Sequence, residues 1–217
     1  MKKGLTELVF ILDKSGSMSG LENDTIGGFN SMLTKQKAID GECYVTTVFF
    51  DHNYELIHDR TDLKAISPIT EKEYQVGGST ALLDAIGRTI NKITNAQKHI
   101  AEDYRAEKVM FVIITDGEEN SSREYTAANI RNLIERQKEK YAWEFVFLGA
   151  NIDAVETAGR YGISSNRAID YLADSEGTEL NFRIMTEAVA AFRDSGTIDE
   201  ESFEEIRKDV KRRGGRR

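Results

Sequence analysis

Two uninterrupted apolar runs, Leu8–Leu12 and Val109–Ile114, constrain this chain more than any other feature, and each leads to an aspartate, Asp13 and Asp116. A segment apolar at every position is buried on both faces, the habit of a central strand in a parallel sheet covered by helices. Neither run approaches the ~20 residues of a membrane span. The start, Met1-Lys2-Lys3-Gly4, leads into a stretch broken by Glu7, unlike a signal peptide. Cys43, the one cysteine, has no partner for an internal disulfide and reads as a small core residue. The expectation is a cytoplasmic protein with no membrane segment.

Strand and helix patterns alternate between and around the two runs. After a Ser/Gly-rich turn, Ile26, Phe29, Met32 and Leu33 recur at helical spacing, with Gly41 as the stop. Tyr44–Phe50 and Tyr54–Ile57 flank the short turn Asp51-His52-Asn53, which predicts an antiparallel hairpin. Leu82, Ala85, Ile86, Ile90 and Ile93 stripe a long helix over 81–100. Helices over 125–140, 155–161, 178–192 and 199–211 alternate with strands over 143–148 and 167–171. The sum, β-α-β-β-α-β-α-β-α-β-α, predicts a doubly wound sheet with one antiparallel strand.

The 217 residues suit one domain, placed at 1–195, followed by a C-terminal helix and basic tail at 196–217. The net charge of −8 is unevenly spread. Arg207–Arg217 holds seven of the 29 cations and one of the 37 anions, so the tail carries +6 and the rest −14. An acidic body repels nucleic acid and favours cations, leaving the tail as the segment for phosphates or an acidic partner, or simply a solubilising end.

In doubly wound sheets ligands bind beyond the carboxyl ends of the strands, where strand order reverses. If the two apolar strands are neighbours, Asp13 and Asp116 converge there. The first loop, Asp13-Lys14-Ser15-Gly16-Ser17, sets a carboxylate and two hydroxyls on alternate residues. Hard oxygen donors with few carboxylates suit Mg²⁺, which keeps positions open for water or an outside ligand. A third loop, Gly77-Gly78-Ser79-Thr80, offers a further hydroxyl ahead of the long helix. Glu118, Glu119 and Asn120 read as a solvated acidic loop, and Asn151 and Asp153 as the start of a helix. His52, His58 and His99 show no zinc-like clustering.

The three motifs together, Asp13-x-Ser15-x-Ser17, Gly-Gly-Ser-Thr80-Ala-Leu-Leu-Asp-Ala-Ile and Ile-Ile-Thr-Asp116-Gly, resemble the von Willebrand factor A domain with its metal-ion-dependent adhesion site. The resemblance covers about residues 5–192. It implies a Rossmann-like, mostly parallel six-stranded sheet of order 3-2-1-4-5-6 with strand 3 antiparallel. Carried over position by position, it implies Asp13, Ser15, Ser17, Thr80 and Asp116 as ligands of Mg²⁺ (Mn²⁺ or Ca²⁺ as alternatives). It also implies a protein partner that supplies an Asp or Glu to the metal. The stretch Phe147-Leu-Gly-Ala-Asn-Ile-Asp153 is similar to stand-alone bacterial members, whose frequent partners are chaperone-like ATPases.

Two other readings stay open on sequence. A Mg²⁺-dependent phosphohydrolase of the haloacid dehalogenase type would also follow a first apolar strand with Asp, but needs a second Asp where Ser15 stands. A scaffold could act through its basic tail. A dinucleotide fold would need Gly-x-Gly-x-x-Gly after strand one, and a nucleophile elbow a Ser where Met18 stands; neither is present, which argues against an enzyme.

Overall fold

Alternate residues of the first apolar run go to opposite sides of one sheet. Leu8, Phe10 and Leu12 join one buried cluster, while Val9 and Ile11 join the other. That division is the period of two of a strand with both faces covered. The computed structural model describes residues 1–214; Arg216 and Arg217 of the basic tail lie outside the described residues.

The strands are β1 (Lys2–Asp13), β2 (Cys43–Phe50), β3 (Tyr54–Asp62), β4 (Ala106–Thr115), β5 (Glu144–Gly149) and β6 (Ala168–Asp170). The helices are α1 (Glu22–Lys37), α2 (Leu82–His99), α3 (Ala127–Tyr141), α4 (Ala154–Arg160), α5 (Ser175–Ser195) and α6 (Glu204–Arg213). The sheet runs β3-β2-β1-β4-β5-β6, with every neighbouring pair parallel except β2–β3. The hairpin and the doubly wound α/β topology are thus as the sequence pattern predicts.

On one face Phe29 of α1, Phe182 and Phe192 of α5 and Ile206 of α6 pack over Phe10, Phe49 and Val112. On the other, Leu82, Ile86 and Ile90 of α2, Ile130 and Ile134 of α3 and Ala154 of α4 pack over Ile11, Phe111 and Phe147. Burying such side chains stabilises by ~1.5–3 kcal/mol each. Cys43 is buried, and burial pushes its thiol up to about 12, as suits an inert core residue. Among the described residues no helix is long and apolar enough to cross a membrane.

Some boundaries differ from the pattern. The first helix closes at Lys37, and Gly41, at φ +104°, makes the turn into β2 instead of ending the helix. Strand β3 continues five residues past Ile57. It is an edge strand, half-buried with no clean alternation, and it carries an irregularity where Arg60 adopts φ +47°. The last helix begins at Glu204, behind a single 3-10 turn. Three tail cations, Arg207, Arg212 and Arg213, form ion pairs with Glu204, Asp209 and Asp174.

Candidate metal centre

The two central strands β1 and β4 are parallel neighbours, with Leu12 opposite Ile114, so Asp13 and Asp116 emerge at the same sheet edge. From β1 the chain passes outward to β2, and β4 starts the other half of the sheet. This is the point where strand order reverses.

The first loop is held tightly. Asp13 is buried; its Oδ1 accepts the Ser15 N–H at 2.7 Å and its Oδ2 the Thr115 hydroxyl at 2.5 Å. The Ser15 and Ser17 hydroxyl oxygens lie 3.0 Å apart, and Ser17 donates to Asp116 Oδ1 at 2.5 Å. Backbone bonds strap the loop to the segment before α2: Gly77 N–H to the Lys14 carbonyl and Gly16 N–H to the Gly78 carbonyl. The buried Tyr74 hydroxyl donates to the Asp13 carbonyl at 2.5 Å. Lys14 is buried too, its ammonium paired with Glu55 of β3 at 2.6 Å.

Thr80 arrives from the other side. It is buried just ahead of α2, and its N–H donates to Asn120 Oδ1 at 2.9 Å. Gly117 shows how close Thr80 comes to the others. A Cβ on that glycine would sit 3.1 Å from Ser17 Oγ and 3.5 Å from Thr80 Oγ1. The structure therefore brings together all five residues singled out in the sequence: Asp13, Ser15, Ser17 and Asp116 through direct contacts, and Thr80 across the Gly117 gap.

Both carboxylates sit in a poor place for negative charge. Burial pushes the Asp116 carboxyl up to about 6, the neighbouring Asp13 charge adding to it against the Ser17 hydrogen bond. Burial raises Asp13 as well, opposed by its bonds from Thr115 and Ser15. The phenols of Tyr74 and Tyr171 are pushed up by burial and by the charges of Asp13 and Asp116.

No family model matches the chain, and no curated protein does. Solved structures do. PilB, a minor pilin of Streptococcus sanguinis solved as a D319A mutant, superposes with TM-score 0.59 at 13% identity, over 87% of this chain and 62% of that one. A von Willebrand factor type A protein from Catenulispora acidiphila gives 0.58 at 15% identity, over 85% and 42%. The ArnB paralog VWA2 from Sulfolobus acidocaldarius gives 0.51 at 16%, over 84% and 44%. The chain has the von Willebrand factor A fold. It spans less than two thirds of the length of each of these three proteins.

Within this von Willebrand factor A fold, the donor set fits a small divalent cation. Asp116 Oδ2 is buried and accepts no hydrogen bond among the described residues. Buried polar atoms are rarely left so, and each such atom calls for an explanation. The Ser17 and Thr80 hydroxyls flank the space a Gly117 Cβ would fill, the Ser15 hydroxyl adjoins Ser17, and the Asp13 carboxylate adjoins Ser15. Two carboxylates and three neutral oxygens are the hard, sparsely charged set that Mg²⁺ or Mn²⁺ takes. Among the described residues no group of three or more His, Cys, Asp or Glu is placed to hold a metal, so the hydroxyls are indispensable to this candidate.

The rim departs from the sequence reading at Glu119 and at Asn151. Glu119 is no solvated acid: its carboxylate accepts the N–H groups of Leu83, Ser121 and Ser122 and the Ser122 hydroxyl. Asp153 does begin a helix, capping α4 through the Glu156 N–H, while Asn151 at φ +57° donates to the Asp116 carbonyl. The sequence reading missed Tyr74, Asp84, Thr115 and Glu119 as supports of the ligand loops. Thr115 and Asp84 stand inside the motifs quoted above, whereas Tyr74 acts on backbone 61 residues away and Glu119 on N–H groups both near and distant.

Proposed function

We propose that this chain is a metal-dependent protein-binding module whose metal centre takes an acidic side chain from a partner protein. The observation that carries the reading is the buried, unpartnered Oδ2 of Asp116, on a carboxylate whose other oxygen accepts from Ser17, with the Ser15 and Thr80 hydroxyls close by. Asp13, Ser15, Ser17, Thr80 and Asp116 would hold Mg²⁺ or Mn²⁺. The bound cation would supply positive charge at the sheet edge to attract an external carboxylate. The protein's part is to present few charges of its own. With only two carboxylates among the five ligands, the cation's charge would be balanced but not exceeded, leaving it Lewis-acidic toward one further carboxylate. Ser17 is exposed at the mouth, so the approach is open.

Against the phosphohydrolase reading, the residue two after Asp13 is Ser15, whose N–H is taken up by Asp13 itself, and no carboxylic acid stands there as a proton donor. Against the tail scaffold, Arg207, Arg212 and Arg213 are engaged within the chain.

The test is thermal unfolding of wild type and Asp13→Ala in EDTA and in millimolar Mg²⁺ or Mn²⁺. A ligand of the folded state at a hundredfold excess over Kd stabilises by about 2.7 kcal/mol. A metal-dependent rise in wild type that is lost in Asp13→Ala supports the site, and metal-dependent capture of a carboxylate-bearing partner supports the function. Equal metal response in both proteins removes the assignment.

A further inference from the structure

The N-terminus of α2 carries no cap of its own. Its N-cap position is Ala81, which has no side-chain acceptor, so the first-turn N–H groups need partners from elsewhere. They find them in the loop after β4. Leu83 N–H donates to Glu119 Oε2 at 2.9 Å and Asp84 N–H to the Ser122 hydroxyl at 3.0 Å. Glu119 also gathers its own loop, accepting Ser121 N–H at 2.9 Å, Ser122 N–H at 2.7 Å and the Ser122 hydroxyl at 2.7 Å.

The tie is reciprocal. The buried Asp84 carboxylate, in the first turn of α2, accepts the N–H groups of Arg123, Glu124 and Tyr125, each at 2.9 Å. Between the two carboxylates, Asn120 and Ser121 donate their N–H groups to the Thr80 carbonyl, and Asn120 Oδ1 accepts from Thr80 N–H. Each ligand of this half of the centre therefore sits three or four residues from the lock: Thr80 before Leu83 and Asp84, Asp116 before Glu119. Neither carboxylate is among the five metal-facing residues.

From this geometry we infer that Glu119 and Asp84 are positioning residues for the metal centre. They bind the Thr80 loop and the Asp116 loop into one unit, which fixes where the Thr80 hydroxyl and the Asp116 carboxylate stand relative to each other before any cation arrives. Carboxylates suit this work because each accepts several N–H bonds at once, and at a helix N-terminus their charge opposes the positive end of the helix dipole. The inference rests on the metal-binding reading above, and it adds residues whose loss should weaken the metal without touching it.

Mn²⁺ binding, read by the loss of the free-ion electron paramagnetic resonance signal at 15 °C, tests it on the full chain. The set is wild type, Asp13→Ala, Glu119→Ala, Glu119→Gln, Ser122→Ala and the control Glu118→Ala, which removes the same charge from the exposed residue next door. Melting in EDTA shows that each variant is folded at the working temperature. The expected result is at least a tenfold weaker Kd for Glu119→Ala, a smaller loss for Glu119→Gln, which keeps one accepting oxygen, and a change under threefold for Glu118→Ala. If Glu119→Ala proves unstable, Ser122→Ala, which removes the acceptor of Asp84 N–H and one donor to Glu119, should still weaken Mn²⁺ two- to fivefold. A lower melting point with unchanged Kd in the folded Glu119 and Ser122 variants would make the lock merely structural and overturn the inference. Equal weakening by Glu118→Ala and Glu119→Ala would reduce the effect to bulk charge and overturn it as well. If wild type binds and Asp13→Ala does not, while the Glu119 variants bind normally, only this inference falls. If wild type takes up no Mn²⁺, the metal-binding reading falls and this inference with it.

Discussion

Ser17 and Asp116 stand 99 residues apart in the chain, yet the Ser17 hydroxyl donates a 2.5 Å hydrogen bond to Asp116 Oδ1. That contact joins the loop after β1 to the loop after β4. It satisfies one oxygen of the carboxylate and leaves the other, Oδ2, buried without a partner. Burial thus disfavours charge on both Asp13 and Asp116, and several consequences can be measured.

Asp116 should make the metal-free protein less stable as pH rises from about 4 to 6. Its folded-state carboxyl is pushed up to about 6 by burial, whereas an unfolded Asp titrates near ~3.9. The folded state therefore holds the proton more tightly. Its contribution is full below the unfolded value and is lost as pH climbs through the folded one. Asp116→Asn should remove this loss and raise stability at pH 7.5 in EDTA by about 1–2 kcal/mol. Two full units would give ~3, and the altered hydrogen bond from Ser17 to the Asn amide offsets part of it. Urea unfolding of both proteins at pH 4 and pH 7.5 decides it, and an identical pH dependence in the two would contradict the assignment.

Gly117→Ala should block the cation while leaving the fold nearly unchanged. The new methyl would lie 3.1 Å from Ser17 Oγ and 3.5 Å from Thr80 Oγ1, against two of the hydroxyls proposed as ligands. Mn²⁺ affinity is expected to fall at least tenfold, ~1.4 kcal/mol, with a small change in the EDTA melting point. Titration calorimetry showing wild-type affinity would mean that the Gly117 gap is not where the ion sits.

How far these features were legible in the sequence depends on how local their cause is. The apolar runs announce β1 and β4 because burial on both faces leaves its mark on every residue. Asp13, Ser15 and Ser17 are legible as a group because three oxygen donors share five residues, and the Thr80 and Asp116 motifs follow the right elements. The end of β3 was not legible: at the sheet edge His58, Asp59 and Arg60 are half-buried or exposed, so the period of two disappears. Asp84 and Glu119 were missed for another reason. The bonds by which they join the two loops run to backbone N–H groups 36 to 41 residues away, which any residue type supplies, so this role leaves no mark in composition or spacing.

The adjacent glycines of α1 should respond to alanine with opposite sign. A Cβ on Gly28 would lie 2.4 Å from the Phe182 ring of α5, an overlap that must push the two helices apart. Overpacking of this kind costs about 1–3 kcal/mol, only partly offset by the ~1 kcal/mol that Ala gains over Gly in a helix. Gly27 faces open space, so Gly27→Ala should stabilise by about 0.5–1 kcal/mol. Urea midpoints for the two variants provide the comparison, and destabilisation by both would show that α1 packs differently there.

Tyr74→Phe links the core to the metal loop most directly. The Tyr74 ring is fully buried, edge-on to Phe49 with centroids 5.1 Å apart, and its hydroxyl reaches the main-chain carbonyl of Asp13 at 2.5 Å. Phenylalanine keeps the ring packing and removes only the donor, so the aromatic contribution cancels from the comparison. What remains is a carbonyl deprived of its side-chain donor, a loss of about 1–2 kcal/mol. Because that carbonyl belongs to the first ligand residue, the loss should show twice: as a lower melting point in EDTA and as a Mn²⁺ affinity reduced two- to tenfold. Replacing Tyr171, whose ring is also buried but forms no hydrogen bond to the Asp13 backbone, by Phe should leave Mn²⁺ affinity within twofold. Equal Mn²⁺ affinities for wild type and Tyr74→Phe would show that the Asp13 carboxylate holds its place without the strap from Tyr74, leaving Ser15 and Thr115 as its sufficient anchors.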